Sequence, residues 1–211
     1  MEYIAPKPIS ILVVDDHPSL RFGIAGIIGL EADMILAGEA DNGAEAVSAY
    51  ANLRPDIVLM DIQMPRMDGI EAISTIRSKA PNARIIVLTT YDGDVQATRA
   101  LKAGAAAFML KSAVRKELID VIRAVHAGRR YIPAEVAQRI ALHSTTDPLS
   151  DRETEILRLV AAGNGNKEIA QSLSIAEDTV KAHMRSIFAK LDVNDRTHAV
   201  TEAVRRGVFQ L

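Results

Sequence analysis

Ile57-Val58-Leu59-Met60-Asp61-Ile62-Gln63-Met64-Pro65 begins with four apolar residues in a row and then meets a carboxylate. So short an apolar run, without polar alternation, marks a strand covered on both faces, as in a parallel sheet. Ile11–Val14, Ile35–Ala37, Ile85–Leu88 and Phe108–Leu110 are further runs of this kind. Their shortness and β-branched content argue against buried helices. Between them lie helical periodicities, such as Leu20, Ile24, Ile27 and Ile28, then Ile70, Ile73 and Ile76. Five strand–helix repeats predict a doubly wound α/β domain, with a five-stranded parallel sheet, over about the first 125 residues.

The whole chain has 211 residues, 48% of them hydrophobic and 25% charged, with a formal net charge of −2. That composition supports a buried core and excludes disorder as the main state. With no cysteine, a disulfide scaffold, a thiol nucleophile, an iron–sulfur cluster and a Cys-type zinc site are all excluded. No apolar run approaches the ~18 residues of a membrane span. Met1–Pro8 lacks an apolar signal core, so the expectation is a cytoplasmic protein with no membrane partner. Four Phe, four Tyr and no Trp argue against a stacking platform for single-stranded nucleic acid.

After Leu118–Val125 the pattern changes. Gly128-Arg129-Arg130-Tyr131-Ile132-Pro133 breaks the last helix of the first domain. Ala134–His143 reads as a short linker helix, and Ser144-Thr145-Thr146-Asp147-Pro148 as a flexible join. From Leu149 onward only helical segments are legible. Ser150-x-x-Glu153 and Ser174-x-x-Glu177 both fit the capping box of a helix start. The expected organisation is therefore an α/β domain over 9–127, a linker over 128–148 and an all-helical domain over 149–211.

In an open parallel sheet, ligands bind beyond the carboxyl ends of the strands. Here the first run ends in Asp15-Asp16, the third in Asp61, the fourth in Thr89-Thr90 and the fifth in Lys111. Three acidic groups in one crevice repel one another unless a divalent cation sits among them. Hard oxygen ligands point to Mg²⁺, which shares its coordination with a phosphate. Lys111 and Thr89 would complete an anion site for a phosphoryl group, with Thr90 and Gln63 beside them. Singly, each residue has a plainer reading: Asp as a helix cap, Lys as a solvated charge, Thr as a strand former. The joint placement carries the argument.

Asp15-Asp16, Met60-Asp61-Ile62-Gln63-Met64-Pro65-x-Met67-Asp68-Gly69, Thr89 and Ala103-Gly104-Ala105 through Lys111 resemble the receiver domain of two-component response regulators, with its flavodoxin-like or CheY-like sheet. The resemblance implies that Asp61 accepts a phosphoryl group from a histidine kinase. It also implies that Asp16 and Asp61 ligate Mg²⁺ with the Gln63 carbonyl, Asp15 acting largely through water. Thr89 and Lys111 would hold phosphoryl oxygens, and Pro65 and Gly69 would shape the loop. Phe108 stands where relatives carry the aromatic that follows the threonine inward; as Phe it serves either as switch or as core. Ser112 follows the lysine where many receivers have Pro, which puts the usual cis peptide there in doubt.

Leu149–Leu211 balances 9 Lys+Arg with 9 Asp+Glu, yet Thr179–Leu191 holds Lys181, Arg185 and Lys190 and no acid. On a helix, Val180, Met184, Ile187, Phe188 and Leu191 share one face. Lys181, Ala182 and Arg185 share another, a cationic, low-profile surface suited to the DNA major groove. Charge and period alone favour a solvated surface helix. The motifs Leu149-Ser150-x-Arg152-Glu153, Gly163-x-Gly165-Asn166-Lys167-Glu168, Thr179-Val180-Lys181-x-His183 and Lys190-Leu191-x-Val193-x-x-Arg196 resemble the LuxR-type DNA-binding domain. A LuxR-type domain behind a receiver is similar to the NarL/FixJ class. That implies base contacts from Lys181, Ala182 and Arg185, and phosphate contacts from Asn166, Lys167, Thr179 and Lys190. It places His183 either on the DNA-facing flank or in the core. Gly165, where many relatives have Ser, removes a hydroxyl. The last helix, with Ala199, Val200, Ala203 and Val204, resembles a dimerising helix or packs on its own domain.

The expectation is a phosphorylation-switched transcription factor that is not itself an enzyme. Its partners would be a sensor histidine kinase, double-stranded promoter DNA, a second copy of the chain and RNA polymerase. An alternative is a receiver-like protein that binds DNA without a phosphorylation switch. A phosphatase of the haloacid dehalogenase type would need a second Asp two residues after the nucleophile. Gln63 stands there and cannot exchange a proton near neutral pH.

Overall fold

The computed structural model describes residues 7–90, 93–143 and 147–209. Ser144-Thr145-Thr146 of the expected join lies outside them. The chain forms two compact units, one of the residues up to Thr90 with Ala97–Ala134, the other of the residues from Glu135 onward, with which the short stretch ending at Gln96 is grouped.

In the first unit, β1 (Ile9–Val14), β2 (Met34–Ala40), β3 (Ile57–Asp61), β4 (Ile85–Thr89) and β5 (Ala107–Leu110) alternate with helices. These are α1 (Pro18–Gly29), α2 (Gly43–Leu53), α3 (Gly69–Lys79), α4 (Asp94–Ala103) and α5 (Val114–His126). All strand pairs are parallel, in the order β2-β1-β3-β4-β5. Because successive strand residues face opposite sides, Ile57 and Leu59 join Ile11, Val13, Ile86 and Leu88 in one core with α1 and α5. Val58, Met60, Leu12, Val87 and Phe108 point the other way and are equally buried, which is why β3 shows no alternation. Helix α5 contributes Val114, Leu118, Val121, Ile122 and Val125 to the first core, the spacing of one helical stripe.

Helix starts follow local chemistry. Asn42 and Asp68 cap α2 and α3 by accepting from the amides of Glu45 and Glu71 at 3.0 and 2.8 Å. Pro18 opens α1, where a missing amide costs nothing. Beyond α5 the chain does not leave at once: Phe108 N–H donates to the Tyr131 carbonyl at 2.9 Å, docking that stretch on the edge of β5. The first part of the expected linker is thus bound to the sheet.

The second unit contains α6 (Ala134–His143), α7 (Asp151–Ala161), α8 (Asn166–Ser172), α9 (Glu177–Leu191) and α10 (Arg196–Arg205). Ile156, Leu157, Ile169, Val180, Ile187, Ala199 and Ala203 form its core. Ser150 and Glu153 make both bonds of the expected capping box at the start of α7. The second expected box does not form. Ser174 adopts φ +52°, in the turn between α8 and α9, and α9 begins after Ala176 without a side-chain cap. A capping Ser needs extended backbone, which that turn does not give it. At Gly165 the missing hydroxyl is apparent: α8 has no side-chain cap there, and the Gly165 N–H donates to the Glu168 carboxylate.

Candidate functional site

The order β2-β1-β3 places the carboxyl ends of β1 and β3 side by side, at the switch point where an open sheet binds ligands. Asp15 and Asp16 follow β1, and Asp61 ends β3. Asp15 is fully buried and Asp61 is 2% exposed. Asp15, Asp16, His17 and Asp61 each offer a ligand atom within 4.8 Å of the others. Lys111, in a short 3-10 turn after β5, reaches into the cluster. Its ammonium lies 2.8 Å from Asp61 Oδ2 and 2.7 Å from Asp15 Oδ2.

One lysine does not satisfy three carboxylates. Asp15 Oδ2 and Asp16 Oδ1 are buried oxygens that accept no well-aligned hydrogen bond. Burial pushes the Asp61 carboxyl above its ordinary value; Lys111 opposes that, and the neighbouring Asp15 adds to it. Burial alone would lower the Lys111 ammonium, but Asp15 and Asp61 outweigh it and hold it above its ordinary value. A set of hard oxygen donors with acceptor capacity left over fits a divalent cation of the Mg²⁺ type.

The loop after β3 is shaped around Asp61. Gln63 N–H donates to Asp61 Oδ1 at 3.3 Å, and Gly69 N–H to the Ile62 carbonyl at 2.9 Å. A Cβ on Gly69 would sit 2.0 Å from the Asp61 carbonyl oxygen, so only glycine lets α3 start this close. The Gln63 side-chain nitrogen, Nε2, is buried without an acceptor. Thr89 is buried as the last residue of β4, in register with Leu110, whereas Thr90 is exposed. Phe108, in register with Val87, is wholly buried, which places it in the core. The peptide between Lys111 and Ser112 is not cis.

His17 went unnoticed in the sequence. Its Nδ1 lies 2.7 Å from Asp16 Oδ1 and 3.2 Å from Asp15 Oδ1. The available signal was its position directly after the acidic pair.

In the second unit the expected stripe holds. Val180, Met184, Ile187 and Leu191 are buried, while Lys181, Ala182 and Arg185 are exposed along α9. Thr179 and Lys167 are exposed, and Asn166 and His183 half-buried. Lys181 also sits 3.2 and 3.1 Å from Glu177 and Asp178, exposed pairs of little strength. Lys190 departs from expectation. Its ammonium is held inside the domain, 2.8 Å from buried Glu153 and 3.1 Å from the Pro148 carbonyl. Ser186 also turns inward, donating to Glu153 at 2.6 Å. In α10, Ala199 and Ala203 are buried and Val200 and Val204 pack against the same core. The apolar stripe of α10 therefore serves its own domain.

Among the described residues no helix is long and apolar enough to cross a membrane. Residues 11–123 match the response regulator receiver domain, and 147–203 match the luxR family of bacterial regulatory proteins. The chain is similar to the transcriptional regulatory protein YxjL of Bacillus subtilis, 36% identical over 96% of this chain and 98% of that protein. It is also similar to the response regulator protein VraR of Staphylococcus aureus, 36% identical over 96% and 99%. Among solved structures, RcsB of Salmonella enterica serovar Typhimurium, bound to a promoter in the presence of the phosphomimetic BeF3−, is 26% identical. It superposes with a TM-score of 0.72 over 93% of this chain and 98% of that one. With both domains matched in order and full-length relatives, the chain belongs to the response regulators that join a receiver to a LuxR-type DNA-binding domain.

Proposed function

We propose that Asp61 takes a phosphoryl group from the phosphohistidine of a sensor kinase, and that this switches promoter binding by residues 149–211. The observation that carries the reading is the crowded electrostatics of the strand-end site: Asp15 and Asp16 gather beside Asp61, and a single lysine, Lys111, stands against the three carboxylates, with Asp15 Oδ2 and Asp16 Oδ1 in no well-aligned hydrogen bond. A carboxylate oxygen of Asp61 attacks phosphorus, the P–N bond breaks, and the departing imidazole takes a proton from solvent. Asp15, Asp16, Asp61 and the Gln63 carbonyl would hold Mg²⁺, which offsets charge on the equatorial oxygens. Lys111 then turns from Asp61 to a phosphoryl oxygen. The Gln63 side-chain Nε2, with no acceptor of its own, and the hydroxyls of Thr89 and Thr90 are further donors. Phe108 sits in the core beneath them.

The receiver would span 9–127 and the linker 128–148. In 149–211, α9 would enter the major groove. Arg185 reads guanine, with Lys181, Ala182 and His183 beside it, and Asn166, Lys167 and Thr179 meet phosphates. Lys190, held by Glu153, supports this surface from within. Phosphorylation would favour a homodimer on paired half-sites, because one small domain buries little DNA, and RNA polymerase would be the next partner.

Incubation of the full chain with Mg²⁺ and acetyl phosphate tests this directly. The expected result is a metal-dependent gain of one phosphoryl group, absent in Asp61→Asn, with dimerisation and tighter DNA binding. If neither acetyl phosphate nor beryllofluoride changes oligomeric state or DNA affinity, the switch is refuted and DNA binding without it remains.

A further inference from the structure

A concave pocket of about 450 Å³ opens in the first unit beside the amino-terminal ends of β4 and β5, the opposite edge of the sheet from Asp61. Its wall comes from three loops and the last turns of α3 and α5, and carries Arg77, Arg84, Arg129 and Arg130, with Asn82 among them and no carboxylate. Several cations elsewhere in this unit are matched: Arg21 with Glu39, Arg123 with Glu31 and Asp33, Lys111 with Asp15 and Asp61. Arg84, Arg129 and Arg130 have no carboxylate partner among the described residues.

The loops are fastened to one another. Ala106 N–H donates to the Ile85 carbonyl at 2.8 Å, Tyr131 N–H to the Ala106 carbonyl at 3.3 Å, and Arg129 N–H to the Ala124 carbonyl at 2.9 Å. Arg77 is fixed by a bond from Nη1 to the Ala83 carbonyl at 3.1 Å. Gly104, at φ +107°, lies over it, where a Cβ would come within 2.6 Å of Arg77 Nε. Arg77 is thereby held in place, and Arg84, Arg129 and Arg130 are exposed side chains on backbone that hydrogen bonds fix, so the ordering cost of binding falls on those three side chains.

Helix dipoles do not account for that charge. The carboxyl ends of α3, α4 and α5 each bring about −0.5 to this edge, roughly −1.5 against four guanidinium groups. Guanidinium forks bind phosphate oxygens in pairs, and a single phosphate would leave several forks unused.

We infer that this pocket binds a ligand carrying a chain of linked phosphates, either an inorganic polyphosphate or a nucleoside polyphosphate. The test is calorimetry on the full chain in EDTA, which keeps phosphate away from the acidic site, at ~0.15 M salt. Inorganic triphosphate and ATP are the two probes. Saturable 1:1 binding is expected, weakened at least about tenfold in Arg84→Ala/Arg129→Ala and unchanged in Lys181→Ala/Arg185→Ala. Equal affinity for the two probes identifies the phosphate chain as the ligand; tighter binding of ATP identifies a nucleoside polyphosphate. Amide shifts at Gly104 and Gly128 should accompany binding, and Arg84→Lys/Arg129→Lys should recover part of it. Non-saturable binding, or equal affinity in the Ala variant, overturns the proposal. So does a result in which the Ala variant keeps triphosphate affinity but weakens binding to double-stranded DNA, for then the arginines serve the DNA backbone.

Discussion

Lys111 in the first unit and Lys190 in the second each approach a buried carboxylate at 2.8 Å, but their surroundings differ. Glu153 has every oxygen used. Oε2 accepts from Lys190 and from the Ser150 amide at 2.7 Å, and Oε1 accepts from Ser186 at 2.6 Å. Burial alone would raise its carboxyl, yet those donors outweigh it and hold it at about 2. Around Lys111, Asp15 and Asp61 share one ammonium with Asp16 close by, two of the oxygens accept no well-aligned hydrogen bond, and the Asp61 carboxyl is pushed up. The first arrangement is a strut that ties α9 to the start of α7. The second is a site that lacks charge, and a cation and a phosphoryl group can supply it.

Removing one carboxylate from each tests the contrast most strongly. Glu153→Gln should destabilise the second unit by about 2 kcal/mol, because it removes the charged partner of half-buried Lys190 and weakens the bonds from Ser150 and Ser186. Asp61→Asn should leave the first unit as stable as before or stabilise it by roughly 1 kcal/mol, by relieving repulsion. Urea unfolding of the full chain, followed at probes in each unit, measures both. Equal losses would erase the distinction.

Added Mg²⁺ should raise the stability of the first unit by about 2.7 kcal/mol at a hundredfold excess over its dissociation constant. The second unit should not respond, and Asp16→Asn should abolish the gain. Thermal unfolding across a Mg²⁺ titration reads this out.

On α9, Arg185→Ala should cost about 1–3 kcal/mol and relax preference at one base pair. Lys167→Ala should weaken all sequences alike and lower the salt slope by about one. Lys190→Ala should act through the stability of the domain, shown by unfolding before DNA binding is measured.

The smallest effect is on pH. A carboxyl depressed in the folded state contributes stability that is complete above its unfolded value and lost as pH falls through the folded one. For Glu153 that window runs from 4.5 down to about 2. Acid unfolding of Glu153→Gln should therefore be shallower than wild type in this range. Parallel curves would show that the residue does not titrate as described.

Much of this was legible because its causes are local. Ile57–Met60 lacks alternation since both faces of β3 are buried, and a strand's own composition records that. Asp61 ends its strand within its own sequence context, and Ser150 and Glu153 lie one turn apart. Failures came where the cause was remote or conformational. Ser174 has a capping residue's chemistry but sits at φ +52°. Lys190 reads as a free cation until Glu153, 37 residues earlier, is brought to it by the packing of α7 against α9.

The order of apolar runs, the acidic residues that end them and the stripe on α9 are properties of neighbouring residues, so the sequence alone determined the two domains and nominated Asp15, Asp16, Asp61 and Lys111. Tertiary structure decided which charges are satisfied. Lys111 is pulled between two carboxylates, Lys190 is consumed inside its domain, and four arginines from positions 77 to 130 meet at one sheet edge. Electrostatic balance depends on distance and burial, and for residues far apart in the chain only the fold sets those.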